Sequence, residues 1–162
     1  MPPRDAEDLQ TFEALRPDLI ALSYRMLGDA GSAQDFVQEA WLRWHARTAE
    51  VVSPRAFLIA IVTRLCLNEL ASLRARGERS TGMRLPEPVD LRSVGIGPVD
   101  ALESISMAFM VVLERLTPAE RAVLLLHDVF DLPHEEIAPL VSRTPESCRK
   151  LLERVASACA RC

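Results

Sequence analysis

Residues 116–161 constrain the fold of this chain most, because they mark three successive helices with clear boundaries. Thr117 and Thr144 each precede a proline; a threonine side chain can cap a free backbone N–H group, and proline fits the first helical position. Residues 130–133 interrupt the helical spacing, and residues 134–141 predict a short helix before a tight turn. The pattern predicts a helix-turn-helix behind a supporting helix.

The last helix of this motif has an apolar face and a basic edge. Cys148, Leu151 and Val155 recur at helical spacing, whereas the basic residues fall elsewhere on the helix. Such an edge can reach phosphates or base edges in a major groove, although a helical bundle with a solvated charged face gives the same pattern. The candidate contacts to duplex DNA are Arg143, Thr144, Ser147, Arg149, Lys150 and Arg154.

Charge changes sign along the chain, within a net charge of −4. Residues 53–84 hold six arginines against two glutamates, and residues 141–162 hold five basic residues against two glutamates. Residues 1–52 and 85–140 are acidic. Two basic segments suit a protein that contacts nucleic acid at two places and a basic protein surface elsewhere, but an unspecialised solvated surface fits as well.

Three helices are predicted in the N-terminal half, over residues 9–27, 32–47 and 53–76. The second carries Asp35 and Glu39 at positions i and i+4, where like charges repel. Such a pair favours a cationic partner on that face, with an ordinary solvated acidic face as the alternative.

Aromatic rings precede the third helix, and basic groups follow along it. Single-stranded nucleic acid binds this combination, because bases stack on rings and guanidinium groups hold phosphates. Core tryptophans beside a solvated basic helix are the alternative; Trp41 is expected in the core, while Trp44 fits either interpretation. The candidate contacts to the single strand are Trp44, His45, Arg55, Thr63, Arg64 and Asn68.

Residues 77–98 have no helical period and are rich in glycine and proline, which predicts a flexible linker. Helical spacing returns over residues 99–116. No strand is predicted anywhere in the chain. The predicted fold class is therefore all-α, with two small helical domains at residues 8–76 and 99–162.

The sequence predicts no enzyme activity, no cofactor and no metal site. The three histidines lack a nearby nucleophile and orienting acid, and no glycine-rich phosphate loop follows a strand. Cys159 and Cys162 form one C-x-x-C, half of a tetrahedral zinc site, while Cys66 and Cys148 fall in apolar stripes. No apolar run is expected to span a bilayer and no secretion signal is evident, so no membrane insertion and a cytoplasmic location are expected.

Several motifs, in this order, resemble sigma-70 family RNA polymerase sigma factors of the extracytoplasmic-function type. They are DFVQEAWL at 35–42, SPRAFL at 53–58, VTRLCL at 62–67, LTPAER at 116–121 and EEIA at 135–138. The resemblance is greatest to the group whose full-length members carry a C-terminal SnoaL-like domain, on LPEP at 85–88, SMAF at 106–109 and LHD at 126–128. This sequence ends at Cys162, so that domain is expected to be absent.

The resemblance implies a transcription initiation factor that binds core RNA polymerase, directs it to promoter DNA and opens the minus-ten region. It implies that polymerase is bound through Asp35, Gln38, Glu39 and Leu42. The single-strand candidates would then contact the minus-ten element, and the candidates of the last helix the minus-thirty-five element. An anti-sigma factor would be a further partner.

Two alternatives stand beside this interpretation. A sigma-like protein-interaction module could sequester an anti-sigma factor without reading DNA, and a dimeric repressor could bind palindromic duplex without polymerase. The last helix departs from the family at Glu153, Val155 and Ala156, where relatives are usually more basic. This departure bears on promoter affinity and not on the fold.

Overall fold

The computed structural model describes residues 3–77 and 107–160, which are helical with short connections and without strands. The all-α prediction is therefore confirmed. The predicted linker, apart from Gly77, and the start of the predicted helix over 99–116 lie outside the described residues. The helices are α1 (Pro3–Leu27), α2 (Ala30–Ala46), α3 (Pro54–Ala75), α4 (Met107–Arg115), α5 (Pro118–Leu124), α6 (His134–Leu140) and α7 (Pro145–Ala160).

The ends of the first two helices follow from local chemistry. Gly28, with φ of 72°, ends α1 in a left-handed conformation that suits glycine. The carboxylate of Asp29 then caps α2 by accepting a hydrogen bond of 2.8 Å from the backbone N–H of Ser32. The helix predicted from residue 32 therefore begins two residues earlier, at Ala30. Pro17 lies within α1, which continues on both sides of it.

The helix starts of the C-terminal part agree with the sequence pattern. The Thr117 hydroxyl accepts from the backbone N–H of Glu120 at 3.2 Å, and the Glu120 carboxylate accepts from the N–H of Thr117 at 3.0 Å. This reciprocal pair is a capping box, and it satisfies two N–H groups that the helix leaves free. The Thr144 hydroxyl accepts from the N–H of Ser147 at 3.1 Å in the same role. A π-helical segment, Leu125–Val129, continues α5.

The buried apolar residues form one continuous cluster that runs from α1–α3 into α4–α7. Met26, Leu58 and Val62 represent the first unit, and Leu113 and Leu126 the second; all are essentially without solvent exposure. The front unit, α1–α3, and the rear unit, α4–α7, therefore share a core in this arrangement. Such burial is the main favourable term in holding helices together.

Within residues 3–77 and 107–160, one helix has the length and hydropathy of a membrane span, contrary to the expectation from sequence. It is α3, with a mean hydropathy of 1.7 over 18 residues. Its residues Leu58, Ile59, Val62 and Cys66 lie in the shared core, and a core helix passes the same test as a membrane helix. Of the apolar 18-residue window of α3, 28% is buried, and Phe57, Ile61, Leu67 and Leu70 pack partly buried against the core, so this packing accounts for part of its hydropathy.

Candidate nucleic-acid interface

The four residues predicted to bind polymerase lie on one side of α2. Asp35, Gln38 and Leu42 are exposed and Glu39 is half-buried, and their spacing places them along one helix face. Leu42 is 53% exposed and presents apolar area beside these polar groups. An unpartnered leucine among carboxylates fits a surface that binds a protein with both apolar and cationic groups.

The repulsion expected between the two carboxylates of this face is offset within α2 itself. Arg43 donates from Nε to Oε1 of Glu39 at 2.8 Å, in an i, i+4 pair. The two side chains are 51% and 41% exposed, so solvent screens the pair and it contributes little to stability. Asp35 makes no hydrogen bond or ion pair with any residue that the structure describes, which leaves its charge free for a partner.

Trp44 is placed differently from the role that the resemblance implied for it. Its side chain is only 2% exposed, and the indole Nε1 donates to the carbonyl of Asp8 at 3.2 Å. The guanidinium of Arg47 lies 3.3 Å from the centre of the indole, and Phe57 packs beside it. Since the ring is covered, a nucleic-acid base has no face of it to stack on, and Trp44 is left out of the interface proposed below.

Arg47 is held over that ring by a carboxylate. It donates two hydrogen bonds to Asp8, at 2.8 and 2.7 Å. These bonds keep the pKa of Asp8 below its ordinary value against the opposing effect of burial. The partly exposed ring at this end of α2 is that of Trp41, which stacks with His45 at 5.3 Å between ring centres. From the sequence, Trp41 was expected in the core, while Trp44 fitted either interpretation.

Thr63 also faces inwards. Its side chain has no solvent exposure, and its hydroxyl has no hydrogen-bond partner within the described residues. It lies one turn after Ile59 on the core face of α3, whereas Arg64 and Asn68 are exposed on the outer face. Thr63 is therefore also left out of the proposed interface, while Arg64 and Asn68 remain candidates.

Arg55 contributes to the contact between the two units. Its guanidinium donates to the backbone carbonyl of Phe130 at 2.9 Å, across 75 positions of sequence. This bond uses one N–H group of an exposed guanidinium that carries five donors. The predicted DNA contact is thus used in part within the protein in the described arrangement.

Arg121 is a second link between the units, and its role was not evident from the sequence. It is 8% exposed; its guanidinium donates to the carbonyl of Leu113 at 2.8 Å and to the carbonyl of Met26 in α1. Burial lowers its pKa, and the charge of Glu114 partly opposes this effect. A buried guanidinium satisfied only by carbonyls fixes the geometry of its neighbours. In the sequence, the one sign of this role is an arginine next to an apolar run. That sign does not reveal that the acceptors are the carbonyls of Leu113 and Met26.

The basic edge of the last helix is exposed as predicted. Arg149 and Arg154 make no hydrogen bond or ion pair with a described residue, and both point to solvent. Lys150 lies 3.2 Å from the carboxylate of Glu146, an exposed i, i+4 pair. Thr144 is occupied as the cap of α7, and Ser147 provides the N–H for it. Arg143 is exposed in the turn between α6 and α7, where it faces α3 across a cleft.

The cysteines show no metal-binding geometry within the described ranges. Cys66 and Cys148 are buried in the core, as predicted, and burial raises the pKa of Cys66 to about 12. Cys159 is exposed, and Cys162 lies outside the described residues. Among the described residues, no cluster of three or more histidine, cysteine or acidic side chains could hold a metal ion.

Comparison with known proteins gives matches to both units. The family model for sigma-70 region 2 matches residues 11–76, and that for sigma-70 region 4 matches residues 106–159. The ECF RNA polymerase sigma factor SigJ of Mycobacterium tuberculosis is 40% identical over 93% of this chain and 49% of its own length. The probable ECF RNA polymerase sigma factor SigI of the same organism is 35% identical over 88% of this chain and 51% of its own length. The chain thus spans about half the length of these curated relatives.

Two solved structures share the fold. The crystal structure of Mycobacterium tuberculosis SigJ superposes with a TM-score of 0.70 at 38% identity, covering 93% of this chain and 52% of the other. The sigma factor RpoE from Bartonella quintana, solved in complex with the anti-sigma factor NepR, has a TM-score of 0.65 at 18% identity. The superposition covers 97% of this chain and 94% of the RpoE chain, and this similarity concerns the fold alone.

Proposed function

Because the chain belongs to the sigma-70 family, as a member of its extracytoplasmic-function group, we propose that it is a promoter-specific transcription initiation factor. It binds core RNA polymerase, directs it to promoters and opens the minus-ten region; it catalyses no reaction of its own. The proposal rests chiefly on where two exposed surfaces fall within the family matches. The exposed acidic and apolar face of α2 lies in the region-two match, and the free basic edge of α7 in the region-four match.

Polymerase binding is assigned to the face formed by Asp35, Gln38, Glu39 and Leu42. Leu42 supplies apolar area that is exposed in the free protein, and the carboxylates pair with basic groups on the polymerase. The Glu39–Arg43 pair would be exchanged on binding for an intermolecular pair. This exchange costs little, because exposed ion pairs contribute little to stability.

Contacts to the minus-ten element are assigned to a smaller set than the sequence suggested. Arg64 and Asn68 are exposed on one face of α3, and His45 is exposed at the end of α2. Arg55 joins them through the guanidinium donors that do not bond to Phe130. These groups would hold the phosphates and base edges of the unpaired strand, while polymerase supplies much of the binding energy.

Contacts to the minus-thirty-five element are assigned to the edge of α7 and the turn before it. Arg149 and Arg154 are free to reach DNA phosphates, and Lys150 and Arg143 can join them. Phosphate contacts set the position of the helix on the duplex and make binding depend on salt.

Replacing Arg149 and Arg154 together by alanine is expected to weaken minus-thirty-five-dependent promoter binding about tenfold at moderate salt, because two phosphate contacts are lost. The slope of log affinity against log salt should fall by about two. Mobility shift of the polymerase complex at several salt concentrations measures both. Arg16→Ala with Arg115→Ala removes two arginines elsewhere and should leave the slope unchanged. An unchanged slope in the α7 variant would make that edge an ordinary solvated face.

An anti-sigma factor is proposed as a further partner. A protein of the same fold, RpoE of Bartonella quintana, was solved in complex with the anti-sigma factor NepR. A role limited to such sequestration is not favoured, since it leaves the free arginines of α7 without a use. We place the protein in the cytoplasm, where polymerase and promoter DNA are found, with no insertion into membrane.

Run-off transcription with core polymerase tests the proposal directly. Core enzyme is supplied with a library of promoter fragments, with and without this chain, and the transcripts are sequenced. Transcripts that depend on the chain and share upstream sequence support an initiation factor. Binding of core enzyme without any transcript would favour the sequestration alternative, and binding to palindromic duplex without polymerase would favour a repressor.

A further inference from the structure

A cleft of about 560 Å³ separates α3 from the rear unit. One wall is the outer face of α3, with Arg64, Leu67, Asn68 and Arg74. The opposite wall is formed by the start of α5, residues 117–119, and by the end of α6 with its turn, residues 139–143. The cleft exists because the two units are packed together, and it would be lost if they separated.

The cleft gathers unpaired positive charge. Arg64 and Arg74 contribute from one wall and Arg143 from the other, and none of the described residues that line it is acidic. The three guanidinium groups make no hydrogen bond or ion pair with any residue that the structure describes. Some cations elsewhere in the described residues do have carboxylate partners, among them Arg43, Arg47, Arg76 and Lys150, whereas Arg149 and Arg154 are unpaired like those of the cleft. Three positive charges on the walls of one cleft, with no acidic residue among its described lining, favour the binding of an anion there.

The remaining lining is suited to an organic group. Leu67, Leu140 and Val141 present apolar surface, and two prolines lie beside them. Asn68, Thr117 and Ser142 add polar groups that can hydrogen-bond to a ring or a sugar. A volume of this size is typical of small-molecule sites that combine apolar walls with a few placed polar groups.

We propose that this cleft binds a phosphate-bearing small molecule of nucleotide size, such as a nucleoside diphosphate. Arg64, Arg74 and Arg143 hold the phosphate groups, because the planar guanidinium matches phosphate oxygens with two parallel hydrogen bonds. The base and sugar pack on the apolar lining around Leu67 and Leu140. Binding in this cleft is a property of the chain alone and does not depend on the proposed function.

The regulatory consequence does rest on the proposed function. The ligand contacts both walls of the cleft. It therefore binds the described arrangement, in which the front and rear units are packed together, in preference to any arrangement in which they separate. Arg64, Asn68 and Arg143 are also proposed DNA contacts, and a ligand on them excludes the nucleic acid. By linkage, the ligand weakens promoter binding by the same factor by which promoter DNA weakens ligand binding.

The test is calorimetric titration of the full 162-residue chain with ADP, pyrophosphate and adenosine in separate experiments, at fixed ionic strength. ADP is expected to bind, adenosine not to bind, and pyrophosphate to bind more weakly than ADP. Arg74→Ala and Arg143→Ala should each weaken ADP binding about tenfold or more, since each removes a charged hydrogen-bond donor from the phosphates. Both residues are exposed, so neither change disturbs the core.

Arg76→Ala is the matched control, because Arg76 lies two residues further along the chain, pairs with Glu69 at 3.7 Å and does not line the cleft. Its ADP affinity should stay within about twofold. Equal weakening by Arg76→Ala, unchanged affinity in Arg74→Ala and Arg143→Ala, or no ADP binding at about 1 mM would each overturn the proposal. Equal affinities for ADP and pyrophosphate would overturn the nucleotide assignment. No polymerase or DNA is present, so failure here is separate from failure of the proposed function.

Discussion

Replacing Asp35 and Glu39 together by arginine is expected to lower affinity for core RNA polymerase by about 100-fold or more. The change places two positive charges where basic polymerase groups are expected, and like charges brought together at an interface cost several kcal/mol. The variant also sets an arginine at position 39 beside Arg43, which turns the pair within α2 from attractive to repulsive. All of these side chains are at least partly exposed, so the fold should persist.

Affinity is measured by competition with a labelled sigma factor for purified core enzyme. Glu7→Arg with Glu13→Arg changes the net charge equally at exposed positions of α1, and it should bind within about threefold of the unmodified chain. Leu42→Ala, which removes exposed apolar area, should weaken binding about tenfold without changing the salt dependence. If the doubly reversed protein binds as tightly as the control, the docking assignment is refuted.

Trp44→Ala is expected to reduce the free energy of unfolding by about 3–5 kcal/mol, in the range measured for buried tryptophans. The variant removes the ring that Phe57 and Arg47 pack against, and the indole N–H that satisfies the carbonyl of Asp8. That carbonyl and the Asp8–Arg47 pair would then border a cavity. Urea denaturation followed by circular dichroism measures the loss.

Trp41→Ala is the comparison, because Trp41 lies three residues before Trp44 on the same helix and is only half-buried. This variant should lose about 1–2 kcal/mol of the free energy of unfolding, in proportion to the smaller buried apolar area that it removes. Trp44→Phe keeps most of the packing and should retain minus-ten opening on a promoter. A larger cost at Trp41 than at Trp44, or loss of opening with intact stability in Trp44→Phe, would restore a base-stacking role for Trp44.

Local chemistry was predictable where neighbouring residues decide it. The capping box at Thr117 and Glu120 and the cap at Thr144 follow from short-range rules, as does the exposed basic edge of α7. The cap of α2 shows the limit, since Asp29 and Ser32 are both good caps and the end of α1 at Gly28 selects the former.

The spacing of α2 does separate the two tryptophans. Trp44 continues the buried series Ala33, Val37 and Ala40 in steps of three and four residues, whereas Trp41 lies at the edge of that stripe and is half-buried. Asp8 and Arg47, which come from α1 and from just beyond α2, supply the acceptor and the cation that fix Trp44 inside. Their mutual contact spans 39 positions of sequence and leaves no local signature.

The sequence by itself determined the helical class, the boundaries of most helices, the acidic face of α2 and the basic edge of α7, because periodicity and capping act over a few residues. Only the tertiary structure decided that the front and rear units share a core, that Arg55 and Arg121 bond to carbonyls of the opposite unit, and that Arg64, Arg74 and Arg143 surround one cleft. Those features join residues that are distant along the chain. They depend on how whole helices pack, which side-chain patterns of a single helix do not encode.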